Sequence, residues 1–395
     1  MRKPWLSIAW LNGAIALTVP ALVLRLTGVH AAAPIEALVF GAGILGAAFL
    51  LSWAAEVVQL EISQALALAI LALIAILPEY AVDLYFAWRA AKDPVYGHYA
   101  AANMTGANRL LVGLGWPIVV WIFWARWRKT EVRLAPSDQI AVWFLAMATL
   151  YAFVIAERGS FQLLDTVVLI ALFAWYLYRT GSLGVEEPDL VGPALMLSRL
   201  PRFWRLCCNA GLFVFSGAII FLAAEPFAEA LIHTGQEFGI DEFLLVQWVA
   251  PLASEAPEFI IAAIWTVRRH ATMALSALIS SKVNQWTLLI GTISIVYSIS
   301  AGRIQALPLD LQQKHEIFLT AAQSLFAAVM LSDRRLTWWQ ALLLFLPFAT
   351  QLIVPALRMQ VAYAYLVMTL IWGVHYRHYL AAMLRNGPKG LSGAA

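Results

Sequence analysis

Runs of about 20 apolar residues recur along the whole chain, and that is the length an α-helix needs to cross roughly 30 Å of hydrocarbon at 1.5 Å per residue. Twelve such runs are read at 5–25, 34–57, 63–88, 100–125, 137–156, 163–179, 206–232, 242–267, 272–299, 315–332, 336–357 and 359–376. Backbone at bilayer depth has to satisfy its own hydrogen bonds, and none of these runs shows the period-2 alternation of a barrel strand. The expected fold class is therefore all-α, a polytopic membrane bundle of about twelve helices. Charged residues make up only 12% of the chain against 62% apolar, where about 25% charged is usual for a soluble domain. That balance leaves no space for a soluble catalytic domain, and a formal charge of +3 is too small for the basic stripe of a nucleic-acid module.

The N-terminus places Arg2 and Lys3 ahead of an apolar run and Ala31-Ala32-Ala33 after it, as a cleaved signal would. The run is longer than the 7–15 residues, roughly, of a signal core, so it reads as a retained membrane helix. Of the 26 lysines and arginines, seventeen fall on one side of the expected bundle, among them Arg126, Arg128, Lys129, Arg334 and Arg335. Seven, including Arg303, Lys314 and Arg358, fall on the other. Positive-inside bias then makes both termini cytoplasmic in a cell or inner membrane. The remaining two, Arg109 and Lys282, lie inside spans.

The stretch Ile62 to Trp88 parallels Ile240 to Val267: both carry Pro-Glu in mid-span. The preceding spans end in Ala54-Ala55-Glu56 and Ala223-Ala224-Glu225, and the following spans hold Asn108 and Asn284, each seven residues before a glycine, Gly115 or Gly291. Three features repeating in one order predict two repeats of five spans, the second entering from the opposite side of the membrane. The chain then divides into an extra helix (1–33), a first repeat (34–180), a cytoplasmic linker (181–205), a second repeat (206–357), and an extra helix with a tail (358–395).

Glu79 and Glu258 lie near the middle of apolar runs, where a lone carboxylate costs several kilocalories per mole unless paired, protonated or bound to a cation. Each follows a proline, Pro78 or Pro257, which removes a backbone donor and frees a carbonyl one turn earlier. Carboxylate, carbonyl, amide and hydroxyl oxygens together suit hard cations such as calcium and sodium. Asn108 and Asn284 are the amide candidates; Asn103, Thr105 and Ser281 are additional oxygens. Asp83, one turn after Glu79, is a second acid or a partner for Arg109. Glu56 and Glu225 read as interfacial.

On these residues the sequence resembles the calcium/cation antiporter superfamily, of the sodium/calcium exchanger type, over roughly residues 34–357. That family's Gly-Thr-Ser-Leu-Pro-Glu helix corresponds to Ile74-Ala75-Ile76-Leu77-Pro78-Glu79 and Ala253-Ser254-Glu255-Ala256-Pro257-Glu258, and its Gly-Ser-Asn triplet to Gly106-Ala107-Asn108 and Lys282-Val283-Asn284. The resemblance implies that Glu79 and Glu258 are the central calcium ligands, with Asn108 and Asn284 beside them; Ser254 and Glu255 are further candidate ligands. It also implies a secondary antiporter exchanging calcium or another cation for sodium or protons, with inorganic cations and lipid as its partners and no cofactor. The departures are instructive: the first hydroxyl pair is replaced by Ala75 and Ile76, and the second is half replaced by Ser254 and Glu255. Lys282 and Arg109 add positive charge, and Glu255 and Asp83 add acids, for a formal −2 inside the membrane.

Three roles for Lys282 stay open. Its ammonium stands in for one coupling ion while pairing with Glu255; it makes a structural pair with Glu255, as Arg109 does with Asp83; or with Arg109 it fills the site and calcium no longer binds. The last would leave a non-transporting sensor or scaffold. An enzymatic reading would set Glu255, Glu258 and Lys282 to acid–base work on a lipid. No phosphate loop or nucleophile–His–acid arrangement supports pumping or hydrolysis. Cys207 and Cys208, the only cysteines, read as small packing residues. The seven histidines show no metal-ligand spacing, with His98, His233, His270 and His315 placed in loops. Trp5, Trp124, Trp127, Trp338 and Trp339 read as an aromatic belt.

Overall fold

The expected apolar runs form helices wherever the structure, a computed structural model, describes them: residues 4–60, 77–181, 190 and 192–387. The first part of the 63–88 span, with Ala75 and Ile76, lies outside the described residues. The helices are α1 (Pro4–Thr27), α2 (Ala33–Val58), α3 (Leu77–Ala90), α4 (Val95–Leu110), α5 (Trp116–Trp127), α6 (Gln139–Arg158), α7 (Leu163–Gly181) and α8 (Gly192–Ser198). They continue as α9 (Arg202–Phe238), α10 (Glu242–Val267), α11 (Ala271–Asn284), α12 (Ile290–Ala301), α13 (Leu311–Met330), α14 (Trp338–Ile353), α15 (Arg358–His375) and α16 (Arg377–Asn386). Among the described residues, nine helical segments are long and apolar enough to cross a bilayer. The protein is an integral, multi-pass membrane protein.

The chain separates into two compact units, residues 1–85 with 184–257 and residues 86–183 with 258–395, the divisions falling inside α3 and α10. In the first unit, α2 packs on α1 and α9. Small residues set that approach: a Cβ on Gly43 would stand 2.6 Å from the Ala21 Cβ, and one on Gly46 would stand 2.5 Å from the Ala14 carbonyl oxygen. Close backbone contact of this kind is the main source of helix cohesion where lipid removes the hydrophobic drive. The stretch read as a polar linker holds α8, whose Ala194 and Leu197 are buried with Phe49, Leu50, Trp53 and Val57. Helix α9 runs 37 residues, so Glu225 sits well inside it and pairs with Arg25 at 2.7 Å.

The second unit is built reciprocally. Helix α13 packs on α4 as α6 packs on α11, and α14 packs on α5 as α7 packs on α12. Two short antiparallel ladders follow the same exchange. Glu131–Arg133 (β1), between α5 and α6, pairs with Arg335–Thr337 (β4), between α13 and α14. Ser160–Phe161 (β2), between α6 and α7, pairs with Leu307–Pro308 (β3), between α12 and α13.

Some local expectations are corrected. Cys207 and Cys208 are exposed and so do not pack into a core; near the start of α9 they face outward among other exposed residues. His98, His233 and His315 sit on α4, α9 and α13, not in loops. His98 meets Asp310 at 3.0 Å, and Asp310 caps α13 by accepting from the Gln313 amide at 2.8 Å.

Candidate functional site

Asn108 and Asn284 each stand at the entrance to a π-helical turn, Leu111–Gly115 between α4 and α5, and Gln285–Leu289 between α11 and α12. A π turn replaces the i→i−4 ladder with wider bonds and is frequent at functional sites. Glycine lets neighbouring rings close on the first one. A Cβ on Gly115 would lie 2.7 Å from the Phe259 ring, and one on Gly113 would run into the Phe348 ring. Close to the second turn, Thr166 donates its hydroxyl to the Gly291 carbonyl at 2.6 Å. Neither turn was predicted from the sequence, although the shared Asn-to-Gly spacing marks both places.

The Asn108 amide is oriented by its own helix: Nδ2 donates to the Met104 carbonyl at 2.8 Å, which turns Oδ1 outward as an acceptor. Lys282 takes that acceptor. Its Nζ donates to Asn108 Oδ1 at 2.8 Å and to the Asn108 carbonyl at 3.2 Å. The same ammonium lies 4.4 Å from the centre of the Trp286 ring. Lys282 and Asn108 are both fully buried. Two oxygens and a π face are what a small monovalent cation would seek at this position.

Arg109, the next residue, is also buried, and the structure seats its guanidinium against Glu316 at 2.5 Å and Gln351 Oε1 at 2.8 Å. Glu316 begins an expected span and has no Pro-Glu context to mark it as a partner for Arg109. An acid near the start of an apolar run, six residues after Asp310, is the available signal. Counting Glu316 moves the formal intramembrane charge from −2 to −3.

In the first unit, Glu79, Asp83, Ser254 and Glu255 are all buried. The Ser254 hydroxyl turns back on its helix toward the Ala250 and Pro251 carbonyls, at 3.3 Å to each, which leaves its lone pairs available. Helix α10 stays helical through both Pro251 and Pro257. In the second unit, Glu258 is partly buried, and Asn284 is 3% exposed. Thr105 turns its hydroxyl to the Ala101 carbonyl at 2.6 Å. No group of three or more His, Cys, Asp or Glu with metal-binding geometry occurs among the described residues.

The sodium/calcium exchanger protein family model matches residues 34–180 and again 209–356. The chain belongs to that family. The chain is 42% identical, over 96% of its own length and 97% of the other's, to a solved H+/Ca2+ exchanger named CAX, with a TM-score of 0.93. Two more distant structures share its fold. Native YfkE is 14% identical over 92% of this chain and 99% of that one, with a TM-score of 0.62. The sodium-calcium exchanger NCX_Mj is 16% identical over 88% and 99%, with a TM-score of 0.53. No curated protein sequence matches the chain.

Proposed function

We propose that the protein is a secondary active antiporter that moves calcium across the cell membrane against protons by alternating access, with both termini cytoplasmic. The observation that carries this is the 42% identity across nearly the full chain to a structure named as an H+/Ca2+ exchanger. Protons are favoured over sodium as coupling ion because the hydroxyl pair expected to help hold sodium is Ala75-Ile76 in the first stretch. Glu79 and Glu258 are assigned as the calcium ligands, with Asn108, Asn284, Ser254 and Glu255 as further oxygen donors. A carboxylate that releases calcium and takes a proton stays neutral, so the vacant acids need not repel one another while the carrier turns. Two inverted five-helix repeats with an added helix at each end are the proposed layout, and the reciprocal packing of α4 to α7 with α11 to α14 supports it.

Lys282 is assigned the role of a tethered monovalent cation: its ammonium sits on Asn108 where a mobile coupling ion would otherwise be needed. One observation favours a second reading. The same contact occupies an oxygen that calcium would use, so a permanently seated Lys282 would give a non-transporting sensor or scaffold.

Calcium uptake into proteoliposomes separates these readings. Uptake driven by an outward proton gradient, insensitive to sodium and abolished by Glu258→Gln, is expected. Uptake that Glu258→Gln leaves intact would remove the assigned site, and an unmodified, inserted protein without flux would favour the non-transporting reading.

A further inference from the structure

The cluster around Arg109 joins four helices. The Arg109 guanidinium on α4 meets Glu316 on α13 at 2.5 Å, Gln351 on α14 at 2.8 Å and the Thr105 carbonyl of its own helix at 3.3 Å. The second carboxylate oxygen of Glu316 meets Arg358, the first residue of α15, at 3.2 Å. Arg358 Nε in turn donates to the Pro355 carbonyl at 3.1 Å. The side chains of Arg109 and Glu316 are 1% and 2% exposed, while that of Arg358 is 19% exposed.

Burying an arginine–glutamate pair is a poor way to gain stability, since desolvation offsets most of the attraction and apolar residues of equal volume do as well or better. Its position suggests another use. Arg109 is adjacent to Asn108, which already receives the Lys282 ammonium. An uncompensated guanidinium there would place a second full positive charge one residue along the helix from the amide assigned to the transported ion, in surroundings that screen it little.

We infer that Glu316 is a positioning residue that cancels the Arg109 charge beside Asn108, so that calcium affinity is set in part by an acid that does not touch the ion. Through Arg358 the same acid ties α15, which lies outside the region matched by the family, to the helix carrying Asn108. This inference rests on the exchange reading above.

The experiment measures calcium uptake kinetics in proteoliposomes, and the calcium-dependent rise in unfolding temperature in detergent, for the unmodified protein, E316Q, E316D, R109Q and the double variant R109Q/E316Q. E316Q is expected to raise the calcium KM by about ten-fold or more and to shrink the calcium-dependent thermal shift. E316D is expected to keep both near their original values. In R109Q/E316Q both charges are gone, and the KM should return to within about three-fold of the original, a recovery that a merely structural role would not give. A double variant as impaired as E316Q, or an E316Q with unchanged KM, overturns the inference. Should E316Q fail to fold, R109Q decides: it leaves Glu316 with Arg358, so its KM should be unchanged or lower, and a raised KM would count against the inference. The unmodified protein keeps the two claims apart. Uptake abolished by Glu258→Gln upholds the exchange reading whatever E316Q does, whereas an unmodified protein with neither uptake nor thermal shift fails that reading and takes the inference with it.

Discussion

Replacing Lys282 by methionine removes one buried ammonium and keeps most of the side-chain volume. The ammonium makes two hydrogen bonds to Asn108, at 2.8 and 3.2 Å, each worth about 1.5–3 kcal/mol as a charged bond. It also lies 4.4 Å from the Trp286 ring centre, worth about 2 kcal/mol when desolvated. Against this stands a desolvation cost of several kilocalories per mole, so Lys282→Met is predicted to change stability by no more than about 2 kcal/mol in either direction. Lys282→Ala loses three further buried methylenes, at about 0.8 kcal/mol each, and should be less stable by about 2 kcal/mol more. The functional effect is larger. A calcium ion on Asn108 Oδ1 would lie about 2.4 Å from it, and Nζ lies 2.8 Å from the same atom, so the two share that oxygen's lone pairs and repel each other. If the ammonium stands for a coupling ion, emptying its seat creates a requirement the unmodified protein lacks. In proteoliposomes, calcium uptake by Lys282→Ala should become saturably dependent on sodium or methylammonium, while uptake by the unmodified protein stays indifferent to both. Folded Lys282→Ala that transports at the unmodified rate, with no response to either cation, would refute the tethered-cation assignment.

Two further outcomes are expected. Gly113→Ala would drive a Cβ into the Phe348 ring on α14; the overpacking should cost about 1–3 kcal/mol, read as a lower unfolding temperature, and an unchanged value would mean that the π turn yields without penalty. Cys207 and Cys208 are exposed near the start of α9, so with both termini cytoplasmic a membrane-impermeant maleimide should label them in inverted vesicles and leave them unlabelled in right-side-out ones; the opposite pattern reverses the assigned orientation.

What was legible in the sequence was whatever a single helix decides by itself. Apolar length gave the helical segments, because a backbone in hydrocarbon has few alternatives. Mid-span polarity picked out Asn108, Arg109 and Lys282 one at a time, but their meeting is tertiary: Lys282 reaches Asn108 across 174 positions of sequence. Arg109 illustrates the limit. Its partner Glu316 comes from a helix whose register against α4 no local pattern encodes. The π turns escaped for a similar reason. The side chains packed on or near them, Phe348 at Gly113 and Thr166 at Gly291, are distant in sequence. The exposure of Cys207 and Cys208 is not legible because composition alone does not say which face of a lipid-side segment finds a partner.

The reciprocal ladders of the second unit bear on how the chain is made. β1 pairs with β4 through Glu131 and Thr337, 206 positions apart, and Asn108 waits 174 positions for Lys282. At synthesis rates of roughly 5–20 residues per second, the first half spends roughly 10–40 s in the membrane before its partners exist. For that interval Arg109 is a membrane arginine without Glu316, and it has to lean toward the headgroups or recruit water. The step that seats it is then the arrival of α13, which makes late assembly, not helix insertion, the stage at which a destabilising substitution in either half would be felt by quality control.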